Sequence, residues 1–179
     1  MELKDFILSF AGLKQGKHQF EYEVDNTFFE NFGFEEFNSS SIKIEAELDK
    51  RNTIMDLFLS ATGSVNVNCD VTNEPFDLDI DTSMDLVIKF GDAFNDDNEE
   101  LLILSHGDYE FNISQYVYEM LVLSIPQKRV HPGVEDGTLE SDVLDKLNEL
   151  SVSSPEENKS KEIDPRWEAL KKLKTDNNN

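Results

Sequence analysis

Four carboxylates recur at short intervals in Asp77-x-Asp79-x-Asp81-x-x-x-Asp85, a density of acid that could hold a divalent cation. A calcium loop, however, needs a glycine at its sharp turn and a bidentate acid at its end, on looped backbone. Here the intervening residues are mostly apolar and alternate with the acids, so the acids read as the wet face of a half-buried strand. The same argument makes Asn95–Glu100 (NDDNEE) a loop between strands rather than a ligand cage. His18, His106 and His131 lie far apart in the chain, none in an H-x-x-x-H spacing, and no G-x-S-x-G, Walker A or G-x-G-x-x-G element occurs. No catalytic residue, metal ligand or cofactor is assigned on these grounds, and a non-enzymatic protein is expected. Cys69 shares a face with Val65 and Val67 and reads as a small buried apolar residue. Asp70 beside it has the wrong sign to favour a thiolate.

The charge narrows the partners. The 179 residues hold 38 acidic and 16 basic side chains, a net charge of −22. Proteins that grip nucleic acid or lie on anionic membranes need clustered cations, so DNA and membrane are excluded as default partners. The acid is concentrated in residues 23–130, which hold 23 acidic and 6 basic residues, whereas residues 1–22 balance. A single cysteine leaves no internal disulfide. The N-terminal stretch carries Glu2 and Asp5 without a long apolar run, unlike a signal peptide, and no segment reaches the roughly 18–20 apolar residues of a membrane span. A soluble, cytoplasmic protein is the expectation.

Those acids must be positioned by strands, because period two dominates the chain. Ile42, Ile44, Ala46 and Leu48 alternate with polar residues over Ser41–Asp49, and Leu78, Ile80, Met84, Leu86, Ile88 and Phe90 share one face of Asp77–Phe90. Met55–Ser60 (MDLFLS) is apolar on both faces and predicts a central strand, with a turn or bulge at Ala61–Ser64 before a further strand through Val65, Val67, Cys69 and Val71. Strands are also predicted at Asp5–Ala11, Lys17–Val24 and Leu101–Ser105. Asp25 and Asn26 can cap a short helix through Phe28, Phe29 and Phe32, and Asn112 can cap a helix over Ile113–Ser124 that Pro126 stops. The fold class is α+β, a mostly antiparallel sheet or partial barrel with one or two packing helices and a flexible C-terminal tail. The connections are mostly too short for helical crossovers, which favours antiparallel pairing.

After Pro126 the composition turns to Gly, Pro, Ser and Glu, which sets a domain at 1–130, an acidic linker at 131–163 and a C-terminal helix with its end at 164–179. Leu139, Val143, Leu147 and Leu150 give the linker a short amphipathic helix. In DPRWEALKKL, Asp164 is a good N-cap, Pro165 suits the first helical position, and Lys171 and Lys172 complement the helix dipole. Trp167, the one tryptophan, lies here beside Arg166 in a locally basic segment. Such a helix either folds back on its own sheet or docks on a partner, since Trp and Arg anchor interfaces.

Three landmarks resemble a known family. VNVNCDVTNEPFDLDI resembles the C-D-x-C-L-x-P-F core of the YceD-like proteins, also called large ribosomal RNA subunit accumulation proteins. LVLSIPQK resembles their L-x-L-P stretch after an acidic helix, and DPRWEALKKLK their C-terminal D-P-R-x-x-x-L-x-x-L signature. Thr72 stands where the family's second cysteine would be, and VHPGVEDGTLESD has none of the cysteines many members carry, so no zinc role carries over. The resemblance implies a part in ribosome biogenesis, in accumulation of large-subunit ribosomal RNA. Joined to the charge, it predicts an acidic surface for a basic ribosomal protein or assembly factor. That surface is Asp77, Asp79, Asp81 and Asp85, with Asp164, Arg166, Trp167, Lys171 and Lys172 as a second contact. The alternative is direct ribosomal RNA binding through the basic C-terminal helix.

Overall fold

The computed structural model describes residues 3–98 and 100–150. They fall into two compact units that divide between Glu140 and Ser141. The first unit opens with a 3-10 turn at Leu3–Phe6 and continues through β1 (Ile7–Ser9), β2 (Gly16–Val24), α1 (Asn26–Glu30), β3 (Ser39–Lys50) and β4 (Ile54–Asn68). Then come β5 (Pro75–Gly91), β6 (Asn95–Asn98), β7 (Leu101–Ser105), β8 (Glu110–Asn112), α2 (Ser114–Ser124) and α3 (Pro132–Glu135). Six strands form one open sheet in the order β2-β3-β4-β5-β7-β6, and β1 pairs with β8 as a separate ribbon. The expected β-rich architecture is present as an open sheet, not a closed barrel.

Alternation fixes the two faces. Ile42, Ile44, Ala46 and Leu48 of β3 are buried, as are Met55, Leu57, Leu59 and Ala61 of β4 and Ile80, Leu86 and Ile88 of β5. The unbroken register Ala46↔Leu59↔Met84 and Leu48↔Leu57↔Leu86 gathers them on one side. Against that side pack α2, on β5, and α1, on β3. Asp25 caps α1 by accepting from the Phe28 amide at 3.3 Å, and Asn112 accepts from the Ser114 amide at 2.7 Å just ahead of α2. Phenylalanines tie the layer together. Phe28 lies 4.8 Å from Phe6 and 5.3 Å from Phe32 by ring centroids, and Phe32 stacks on Tyr118 of α2 at 4.3 Å.

Three expectations are corrected. No turn interrupts β4 at Ala61–Ser64: the strand runs through, and Gly63, at φ 154°, is there because a Cβ would stand 2.2 Å from the Ser41 carbonyl oxygen. Pairing is mostly antiparallel, as expected; the exception is β7, which runs parallel to β5 and separates it from β6. Asn95–Asn98 is not loop but this fully exposed edge strand, whose acids discourage pairing with other chains. The strand expected at Asp5–Ala11 shrinks to β1, since Leu3–Phe6 coils into the 3-10 turn.

Past residue 130 the chain still belongs to the first unit. His131 Nδ1 accepts from the Gly133 amide at 2.9 Å, and the Leu139 amide donates to the Gly133 carbonyl at 2.9 Å. In the second unit α4 spans Asp142–Leu150, so Leu139 lies outside the helix expected to begin with it, while Val143, Leu147 and Leu150 are exposed. Among the described residues no helix is long and apolar enough to cross a membrane.

Candidate functional site

The face of the sheet turned away from the core carries the acid. Along β5, Asp77, Asp79, Asp81 and Asp85 are all exposed on this face, so the structure brings the four predicted β5 residues together in one row. Residues two apart on a strand stand about 7 Å from each other, too far for several of these acids to close on one small cation. Among the described residues no cluster of three or more acidic, histidine or cysteine side chains is arranged to hold a metal ion. Asp164, Arg166, Trp167, Lys171 and Lys172 lie outside the described residues.

Register extends the row into a patch. Phe58 of β4 stands opposite both Asp85 of β5 and Glu47 of β3, and Ser60 opposite Glu45. Charge is compensated on one side of this patch only. Lys17 pairs with Glu47 at 2.5 Å, Lys43 with Glu45 at 3.0 Å and Glu21 at 3.3 Å, and Arg51 with Asp56 at 2.7 Å and Asp49 at 3.1 Å. On β5, Asp77 accepts from the Asn66 side-chain amide at 2.7 Å, whereas Asp79, Asp81 and Asp85 have no cation or hydrogen-bond partner among the described residues. Apart from exposed Lys89 at the far end of β5, the cations of this face thus sit toward the β2–β3 side, leaving a ladder of like charges along Asp79, Asp81 and Asp85.

Phe58 is the residue that sequence reasoning missed. Its ring is 42% exposed, beside a shallow hollow of about 260 Å³ walled by Glu45, Glu47 and Gln19. MDLFLS suggested burial on both faces, yet the phase of Asp56, Phe58 and Ser60 against buried Met55, Leu57 and Leu59 places Phe58 with the polar set. That phase was the available signal. An exposed aromatic amid carboxylates offers a partner an apolar anchor together with charge, the combination found at interface centres.

Cys69 sits at the turn between β4 and β5, remote from this patch in its role. Its Sγ is buried and accepts from the backbone amides of Val71 at 3.4 Å and His131 at 3.3 Å. Burial pushes the thiol up, but the His131 amide, the Thr72 hydroxyl and amide, and the Val71 amide outweigh it and bring the pKa from 9.0 down to about 7. The expectation that Asp70 keeps this thiol ordinary is corrected, because oriented amides rather than basic side chains stabilise the thiolate. Thr72, in place of a second cysteine, serves as a hydrogen-bond partner to the first. The folded state therefore binds fewer protons than the unfolded chain between pH 7 and 9. Cys69 adds stability that is complete above pH 9 and is lost as pH falls through about 7. Denaturant titrations of the protein and of Cys69→Ala should diverge across that window, by at most about 3 kcal/mol. A difference constant with pH would contradict this.

A family model described as large ribosomal RNA subunit accumulation protein YceD matches residues 57–174, about two thirds of the chain. The match takes in most of β4, all of β5 and the acidic row. No curated protein and no solved structure matches.

Proposed function

The chain belongs to the YceD family, and from that premise we propose that it supports accumulation of large-subunit ribosomal RNA as a non-enzymatic assembly factor, presenting its outer sheet face to a basic ribosomal or assembly protein. The observation that carries this reading is the row Asp79, Asp81 and Asp85, unpaired among the described residues, beside exposed Phe58. Two unit charges about 7 Å apart repel by roughly 0.6 kcal/mol even in bulk water, and by more beside a low-dielectric sheet. A cationic partner removes that repulsion on binding, while a nucleic acid phosphate adds to it. Ribosomal RNA is accordingly affected through the protein that the factor delivers or holds, rather than by contact with this face.

The charge also predicts how the partner is found. Complementary potentials raise association rates and select partners more than they deepen affinity. Pull-down of the full chain from lysate at low and high salt tests the proposal. The expected result is recovery of one or more basic large-subunit or assembly proteins at low salt, falling steeply as the Debye length shrinks from about 10 Å at 0.1 M to 3 Å at 1 M. Recovery of no basic protein, or recovery indifferent to salt, would overturn it. Recovery of RNA by the purified chain with every other protein removed would favour direct binding through Arg166, Lys171 and Lys172 instead.

A further inference from the structure

Among the described residues, the open sheet leaves part of one strand without a neighbour. β4 occupies one edge of β5 from Asn68↔Pro75 to Ile54↔Lys89, but β7 pairs with the other edge only from Val87 to Gly91. Over residues 77–86 the main chain of β5 makes no backbone hydrogen bond outside its ladder with β4, among the described residues. The His131 ring, 5.5 Å from that of Phe76, marks where the free stretch begins. A row of unpaired amides and carbonyls of this kind is a template for another strand.

The side chains flanking that edge are sorted by face. Toward solvent stand Asp79, Asp81 and Asp85, exposed and without a paired cation among the described residues. Toward the core stand buried Ile80 and half-buried Leu78 and Met84, which pack on the core without completing it. A strand laid along this edge would set alternate residues beside the acids and the others beside Leu78, Ile80 and Met84, because side chains alternate with period two. We infer that residues 77–86 of β5 receive an extended segment of the basic partner whose residues alternate between Lys or Arg and apolar types, extending the sheet by one strand. This rests on the reading that β5 faces a basic protein, and adds the mode of contact.

Charge decides between occupants. A second copy of the chain, pairing antiparallel through the same edge, would bring one row of aspartates against another, and like charges across a strand pair destabilise it. The acids thus protect the edge from self-association while admitting a cationic strand, so a single feature serves both repulsion and selection. Backbone hydrogen bonds supply sequence-independent affinity in such strand addition, and the flanking side chains supply specificity.

The experiment uses the full chain and a capped peptide of about ten residues alternating lysine and valine, the length that spans this edge in extended form. A second peptide has the same sequence with every other backbone amide N-methylated, which keeps the charge and the apolar side chains but removes the donors that pair with the edge. Expected are protection of amides within residues 77–86 from hydrogen exchange on binding the first peptide, and at least tenfold weaker binding of the second. Equal binding of both peptides, or protection confined to other segments, overturns strand addition and leaves the acidic-face reading standing. Binding of neither peptide overturns both.

Discussion

Reversing Asp79, Asp81 and Asp85 together to lysine is expected to lower capture of the basic partner at low salt by at least tenfold and to flatten its salt dependence. Tenfold is about 1.4 kcal/mol, a modest demand on three desolvating charge contacts. The substitution moves the net charge by six units, from −22 to −16, yet places all of the change on one row. These side chains are exposed and make no hydrogen bond or ion pair among the described residues, so the fold does not depend on them. The three lysines repel one another as the aspartates did but gain attraction from the acids around them, so thermal stability is expected to change little. A variant that melts normally but no longer recovers the partner locates the contact on β5. Undiminished recovery by a folded variant would remove this face from the account.

Phe28→Ala stands at the other extreme, with a loss of about 3–5 kcal/mol in folding free energy. Phe28 is fully buried, and its ring meets Phe6, Phe29 and Phe32 at centroid distances of 4.8, 5.5 and 5.3 Å. Truncation leaves a cavity at the junction of α1, the N-terminal turn and the sheet, where neighbouring rings cannot all collapse inward. Urea titration reads this as a lowered midpoint at nearly constant slope. Phe58→Ser is the informative contrast, because its ring is already partly in water. It should change stability by no more than about 0.5 kcal/mol, while weakening partner capture. A large destabilisation from Phe58→Ser would mean that the ring serves the core instead of an interface.

Strand positions were legible because a half-buried strand writes its burial into every second residue. Ile42 to Leu48 and Leu78 to Ile88 declared both the strand and its inner face, and the acidic row followed from the complementary phase. Asp25, ahead of three phenylalanines, declared α1 by the chemistry of its cap. What could not be read was long-range. Gly63 looked like a turn because close approach to Ser41 depends on the register of another strand. The parallel pairing of β5 and β7 depends on where the exposed four-residue strand β6 settles, and nothing in Asn95–Asn98 specifies that. For the site, composition gave the sign of the charge, but only the register of β3, β4 and β5 shows which acids are neutralised by Lys17, Lys43 and Arg51 and which are not. The thiol of Cys69 was misjudged for the same reason: the His131 amide that helps lower its pKa comes from a segment sixty-two positions away in the chain.

The central claim is that the outer face of β5 meets a basic protein and not RNA. Replacing Phe58 with a photo-crosslinking aromatic such as p-benzoylphenylalanine tests it in growing cells, because the ring already projects into solvent beside Asp85 and Glu47. Irradiation followed by identification of the crosslinked species is predicted to yield a basic large-subunit or assembly protein, with the yield lost when Asp79, Asp81 and Asp85 are reversed to lysine. Crosslinks to ribosomal RNA itself, or protein crosslinks that persist in the reversed variant, would contradict the account.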